Sequence, residues 1–217
     1  MVDFPTVDAD DYLSPESEDA LPKHGTTVQS GWGAADTVLN PKKTTNYPTD
    51  FKFSADNQLV RFLNDEPFAI YEQHWIDAIT SGKRSFVCLG DDCPLCIRLG
   101  DKPRGRFAFN ILVLSDGEPS HQILTAGPML ARQLQTANSD PRRGPLSKYY
   151  WAISRQGIAA STQYTLDRVK AADLVDEWEL DPQEIDAISS KVTPYDKSVI
   201  YLSPREELLE VSTKLLS

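Results

Sequence analysis

The chain has 217 residues, of which 40% are hydrophobic and 25% charged, a composition typical of an ordinary globular protein with room for one well-filled domain. It contains no run of about 20 apolar residues and no secretory pattern at its N-terminus, so we expect a cytoplasmic protein that does not cross a membrane. The net charge of −10 argues against a uniformly basic nucleic-acid binder, but the charge is unevenly distributed.

Acidic residues are concentrated towards the two ends of the chain. Residues 1–20 and residues 173–186 each contain seven acidic residues and no basic one. Residues 83–170 contain 13 Lys and Arg against 7 Asp and Glu. This pattern favours an anion-binding middle flanked by segments that solubilise the protein, recruit partners or compete for its binding surface. The alternative is that the charges are only solvated surface.

The first 49 residues predict a disordered acidic leader and linker, because acids and prolines alternate there without a helical or strand period. Within it, Trp32 is either a stacking residue or an anchor on the core, and we favour the anchor because exposed tryptophan is uncommon. Order begins near Asp50, with strand patterns at 51–53 and 58–63.

Residues 68–79 are compatible with two structures. Their apolar residues fit an amphipathic helix, but they also fit the first arm of a hairpin that turns near Gly82. We favour the hairpin, because it would place His74 opposite residue 89 and therefore next to Cys88.

The rest of the chain predicts strands, one central helix and a helical end. The expected elements are a basic loop at 97–106, strands at 107–114 and 121–125, a helix at 127–137, strands at 149–155 and 163–169, and helices at 184–189 and 204–216. Strands followed by one helix and a final hairpin form the element order of an OB-fold, a five-stranded Greek-key barrel.

The predicted fold is therefore mainly β with some α structure. We expect an OB-fold core over residues 50–170, with a zinc-binding subdomain inserted at about 68–106. Residues 171–217 would form an acidic segment and C-terminal helices.

All three cysteines, Cys88, Cys93 and Cys96, lie within nine residues, and the last two form a C-x-x-C pair. Thiols are kept reduced in the cytoplasm, so clustered cysteines indicate metal ligands before disulfides. With His74 as fourth ligand, the order H-x13-C-x4-C-x2-C is typical of a closed structural site for one Zn²⁺.

Other interpretations of the cysteines have less support. A redox dithiol would need a thioredoxin-like βαβ context, and a four-cysteine iron–sulfur cluster lacks its fourth thiolate. A catalytic zinc needs a nearby base, and the H-x-E motif of the nucleic-acid deaminases is absent because Ile76 stands at that position. No enzyme motif is found. The remaining candidates for the fourth ligand are His121, His24, Asp91 and Asp92.

Basic residues of the central region recur next to aromatic ones. Binding of single strands without sequence preference needs this combination, because cations follow the phosphates and aromatic faces stack the bases. The candidate contacts are Trp75, Lys83, Arg84, Phe86, Arg98, Lys102, Arg104, Arg106, Phe107, Phe109, Arg142, Arg143, Lys148, Tyr149, Tyr150, Trp151 and Arg155. Any one of these aromatics is equally compatible with a place in the core.

Five short segments together resemble the zinc-containing single-stranded-DNA-binding proteins of tailed bacteriophages. The resemblance covers roughly residues 50–170 and is carried by segments 60–63, 74–75, 82–88, 93–96 and 109–112. It implies an OB-fold with a zinc subdomain held by His74 and the three cysteines, no enzymatic activity, and the coating of single strands in DNA replication, recombination and repair. The chain departs from this family in its acidic leader, where the phage proteins have a basic arm.

The sequence thus leads to two hypotheses of different classes. The first is a sequence-tolerant single-stranded-DNA-binding protein with a structural zinc, whose acidic segments contact replication or recombination proteins. The second is a zinc-ribbon module for protein interaction or transcription, which would hold zinc without affinity for single strands.

Overall fold

The computed structural model describes residues 48–115, 117–158 and 161–216. The predictions for the leader, for Trp32 and for His24 lie outside these residues. The elements are β1 (Thr49–Asp50), β2 (Gln58–Phe62), β3 (Ala69–Trp75), β4 (Ser85–Val87), α1 (Pro94–Leu99), β5 (Arg104–Val113), β6 (Ser120–Ala126), α2 (Pro128–Ser139), β7 (Tyr150–Gln156), β8 (Gln163–Val169), α3 (Ala171–Asp176), α4 (Pro182–Lys191) and α5 (Arg205–Leu216).

The fold is sheet-rich with helices, as the sequence predicts. Its main sheet has the order β1-β6-β5-β2-β7-β8, and every neighbouring pair in it is antiparallel except β1 with β6. The predicted strands from residue 58 onwards and the helix between β6 and β7 are confirmed. The strand predicted at 51–53 is wrong, because the short strand β1 ends at Asp50 and only the Phe51 backbone N–H continues its pairing, with the Ile123 carbonyl. The predicted basic loop at 97–106 is wrong at both ends, because residues 97–99 belong to α1 and β5 begins at Arg104.

Strand β5 organises the sheet because one of its edges pairs with two strands in succession. Phe62 of β2 lies opposite Ile111, and Ala69 of β3 lies opposite Ala108. The chain between them leaves the sheet after Leu63 and returns at Phe68, whose backbone N–H donates to the Ala108 carbonyl at 2.9 Å. Strand β3 therefore extends the sheet past β2, and together with β4 it forms the confirmed hairpin.

One face of the sheet packs against α2 to form the main core. Helix α2 begins with Pro128 at its first position and buries Leu130 and Leu134 one turn apart. Trp151 is fully buried in the same cluster, and its indole N–H donates to the Leu146 carbonyl at 2.9 Å. Successive side chains of β5 and β7 point to opposite faces of the sheet, and Ile111, Trp151 and Ile153 lie on this one.

The opposite face of the sheet is covered by α3 and α4. Leu174 and Ile185 are buried against Leu59 and Leu112. The acidic stretch 173–186, which the sequence predicts as an acidic segment, is thus largely helical and packs through its apolar side. Arg61 of β2 also forms an ion pair with Asp186, which ties α4 to the sheet.

A third apolar cluster joins α5 to the hairpin β3–β4 and α1. We call residues 69–99, which comprise β3, β4, α1 and the turns between them, the metal subdomain. Leu208 of α5 is fully buried there beside Phe86 and Leu95. Among the described residues, no helix has the length and apolar character that crossing a membrane requires.

Candidate metal centre and cationic surfaces

The metal subdomain brings the predicted ligands together through a hairpin and a tight turn. His74 lies near the end of β3 and pairs with Phe86 of β4, three positions from the predicted partner. The backbone N–H of Cys88 donates to the Glu72 carbonyl at 2.8 Å and continues the pairing. Gly90 then adopts a φ of +77°, which favours glycine, and the chain turns so that Cys93 directly precedes α1.

The side chains of His74, Cys88, Cys93 and Cys96 lie close enough to hold one metal ion, because their ligand atoms are all within 4.8 Å of one another. His74 Nε2 lies 3.4 Å from the Cys93 sulfur and 3.5 Å from the Cys96 sulfur. The sulfurs of Cys88 and Cys96 are 3.6 Å apart. A tetrahedral zinc site has S–N and S–S edges of about 3.6 and 3.8 Å, given its usual bond lengths. The pocket therefore has the size of such a site.

The three thiols influence one another electrostatically. Burial raises the pKa of Cys96 to about 12, and its contacts with the Cys88 and Cys93 sulfurs add to the effect. Burial acts in the same direction on Cys93, but backbone N–H groups that include those of Leu89 and Leu95 outweigh it and lower the pKa of Cys93 to about 7. Burial also raises the pKa of Cys88. All three could be thiolates at this separation only beside a cation, which a bound metal ion would supply.

Asp101 completes the surroundings of the site. Its carboxylate accepts a hydrogen bond from His74 Nδ1 at 2.6 Å, which leaves Nε2 directed at the sulfurs. Such a carboxylate fixes the tautomer and the ring orientation of a metal-binding histidine. The sequence analysis missed Asp101, because one carboxylate five residues after Cys96 looks like any other surface acid.

The alternative fourth ligands in the described part of the chain lie elsewhere. His121 stacks on Tyr195 with ring centres 4.0 Å apart, and its Nε2 contacts the Asn110 side chain. Asp91 and Asp92 are exposed in the turn. His74 is fully buried. With one histidine and three cysteines, the protein itself fills all four positions of a tetrahedral ion, which is the arrangement of a structural site.

Four of the predicted nucleic-acid contacts are corrected by their burial. Phe86, Phe109, Tyr150 and Trp151 are each at most 7% exposed, so their rings are not available for stacking on bases. The two faces of β7 are both covered, one by α2 and the other by α3 and α4, and this buries Trp151 and Tyr150 on opposite sides. Phe107 is partly buried and packs against the main core.

Four other residues among the predicted nucleic-acid contacts line a polar hollow of about 230 Å³ at the edge of the metal subdomain. Trp75 is 52% exposed there, and its indole N–H donates to Asp77 at 2.9 Å. Arg106 donates to Gln73 at 2.9 Å. The other basic residues of the hollow are Lys102 and Arg104, whose side chains are exposed and have no hydrogen bond or ion pair within the described residues.

A second cationic group surrounds Tyr149. The Lys148 ammonium lies 5.4 Å from the ring centre of Tyr149, and the guanidinium of Arg168 lies 4.6 Å from it. Arg142 and Arg143 are exposed and precede Lys148 by a few residues in the chain. The backbone carbonyl of Arg142 accepts a hydrogen bond from Arg168. The sequence analysis did not select Arg168, because its contact with Tyr149 comes from the pairing of β7 with β8.

The remaining predicted cations are scattered. Lys83 contacts Ser203 and Glu207, and Arg98 contacts Thr213 of α5. Arg84 donates to the Thr80 carbonyl at 2.9 Å. Arg155 is exposed near the end of β7. The predicted cations thus form two groups and several separate contacts, and they are not aligned in one continuous groove.

Comparison of the chain with protein-family models, with curated proteins and with solved structures finds no match.

Proposed function

We propose that this protein binds single-stranded DNA without sequence preference, in the replication, recombination and repair of phage DNA. The observation that carries the proposal is the hollow formed by Trp75, Lys102, Arg104 and Arg106. It combines a half-exposed indole with three cations, which are the two components that such binding requires.

The charge balance of the hollow favours an anion. Three cations line it against two acids, Asp77 and Asp101, whose carboxylates accept hydrogen bonds from Trp75 and His74. Lys102 and Arg104 are left to neutralise phosphates, and each neutralised phosphate releases counterions. The Trp75 ring can stack any base, because every base has a π-face.

Zinc is the metal we propose for the site, as one structural ion. A set of three thiolates and one imidazole suits a soft tetrahedral ion, and its edges match zinc bond lengths. When bound, the ion would stiffen the metal subdomain, which contains Trp75 and ends three residues before Lys102. We propose no enzymatic activity for the protein.

An OB-fold is the finer architecture we propose for the sheet. Numbered in chain order, strands β2, β5, β6, β7 and β8 follow one another in space as 3-2-1-4-5, and α2 follows the third of them. This order supports an OB-fold, whose ligands bind at the second and third strands and at the connection between the first two. The metal subdomain is that connection here, and Arg104 begins the second strand.

The proposed setting is the cytoplasm of the host cell. The exposed acids of α3, α4 and the turn between them, such as Asp176, Glu179 and Glu184, would contact replication or recombination proteins. Their apolar side is already used against the sheet, so we propose a partner with a basic surface.

The test combines metal analysis with binding of oligo-dT at two salt concentrations. We expect about one zinc per chain, and an affinity that falls as salt rises because phosphates release counterions. One zinc per chain without measurable binding at either salt concentration would contradict the proposal and favour the zinc-ribbon interaction module.

A further inference from the structure

Helix α5 covers part of the metal subdomain. Its Leu208 is fully buried, and Val211 and Leu215 follow at helical spacing on the same side. The surface that receives them includes Leu95 and the ligand Cys93. Helix α5 thus packs on a surface that includes residues of the metal site.

The segment that leads into α5, and α5 itself, also engage two of the predicted DNA-binding cations. Lys83 Nζ donates to Ser203 at 2.7 Å and to Glu207 at 3.2 Å, and it lies 4.5 Å from the ring centre of Tyr201. Arg98 donates to Thr213 at 2.7 Å. A carboxylate and an aromatic ring around one lysine resemble the phosphate and base that a single strand would offer it.

We propose that α5 is a metal-dependent, displaceable cover over Lys83 and Arg98. The phosphates of a bound single strand would compete with Glu207 for Lys83. The competition rests on the proposed function, whereas the dependence of α5 on the metal site does not.

The polar contacts that hold α5 over Lys83 are weak enough to be replaced by contacts with a bound strand. The Lys83–Glu207 pair is partly exposed, with side chains 41% and 34% accessible, and ion pairs this accessible to water contribute little to stability. The connection from α4 to α5 contains no helix or strand apart from the short turn Lys197–Val199. The buried leucines make the larger contribution to docking, and they depend on the shape of the metal subdomain.

The first experiment measures amide hydrogen exchange of the full chain with zinc bound and after chelation. We expect the amides of 205–216 to lose protection when the metal is removed, while those of β2 and β5 keep theirs, because the main core is a separate cluster. Protection of 205–216 that survives complete metal removal would overturn the dependence on metal.

The second experiment compares Glu207→Gln with Glu210→Gln, which removes the same charge from the same helix. Glu210 pairs with Lys214 within α5 and has no contact with Lys83. We expect Glu207→Gln to raise the acetylation rate of Lys83, and to raise oligo-dT affinity about two- to fivefold more than Glu210→Gln does. Equal effects of the two variants on Lys83 acetylation would overturn the cover.

The two proposals can fail separately. If no variant binds oligo-dT at low salt, the proposed function is refuted. Hydrogen exchange and Lys83 acetylation still decide whether α5 is a metal-dependent cover, because neither measurement uses DNA.

Discussion

At the scale of single residues, the site depends on side chains whose neighbours fix their chemistry. The buried ring of His74 can bind a metal through Nε2 because Asp101 holds Nδ1. Trp75, the next residue, points the opposite way along β3 and is exposed, because side chains of a strand alternate between its faces. Of these two neighbouring residues, His74 thus belongs to the candidate metal centre and Trp75 to the proposed DNA surface.

Replacing Asp101 tests the orientation of His74. Asp101→Asn should weaken zinc affinity about 10- to 100-fold, because a neutral amide stabilises the ligating tautomer less well. Competition with a chromogenic chelator measures the affinity. Asp77→Asn is the matched control, since Asp77 contacts the Trp75 indole and not the histidine. Equal zinc affinities of the two variants would contradict the role given to Asp101.

Replacing Trp75 tests stacking. Trp75→Ala should reduce the binding free energy for oligo-dT by about 1–3 kcal/mol, the usual contribution of one stacked base. Ile97→Ala is the control, because Ile97 is an exposed apolar residue of the same subdomain that lies outside the hollow. Titration by fluorescence anisotropy measures both variants, and the role of Trp75 is refuted if they bind alike.

At the scale of elements, a hydrogen-bonded group attaches the chain after α4 to the sheet. The Asn110 side chain accepts hydrogen bonds from His121 and from the backbone N–H of Tyr195, and it donates to the Tyr195 carbonyl. His121 also stacks on the Tyr195 ring. This group fixes the chain between α4 and α5 against β5 and β6.

The stability of the protein should depend on pH through His121. Burial lowers the pKa of His121 below its usual 6.5, so the folded state resists the proton that the unfolded state accepts. The stabilisation is therefore complete above about pH 6.5 and is lost as the pH falls below it. Urea unfolding between pH 5 and 8 measures it. We expect His121→Gln to show a shallower loss of stability towards acid than the parent chain, and identical slopes would refute the assignment.

The metal ligands could be predicted from the sequence because three of them lie within nine residues and their spacing is local chemistry. The position of His74 also followed, since a hairpin brings the arms on either side of its turn together. The exact register of this hairpin could not be predicted, because it depends on the conformation of the turn at residues 76–84. The burial of Tyr150 and Trp151 was missed because alternation separates the faces of a strand without showing that helices cover both of them.

At the scale of the whole molecule, the two cationic groups differ in position. Register places Arg104 and Arg106 on the face of β5 opposite Phe107 and Ile111, which face the main core. Arg168 pairs with Trp151 and therefore lies on the core side of β8. Contacts between residues this distant in the chain could not be read from charge counts along the sequence. The proposed function centres on the group around Arg104, where an exposed indole accompanies the cations.

The measurement that tests this account most directly is the salt dependence of oligo-dT binding by the zinc-loaded chain and its Arg104→Ala variant. We expect log K to fall linearly with log salt for the parent chain, with a slope that becomes shallower by about 0.7 in the variant, because one phosphate contact is lost. Absence of binding by the parent chain, or an unchanged slope in the variant, would contradict the claim that this hollow holds the phosphates of a single strand.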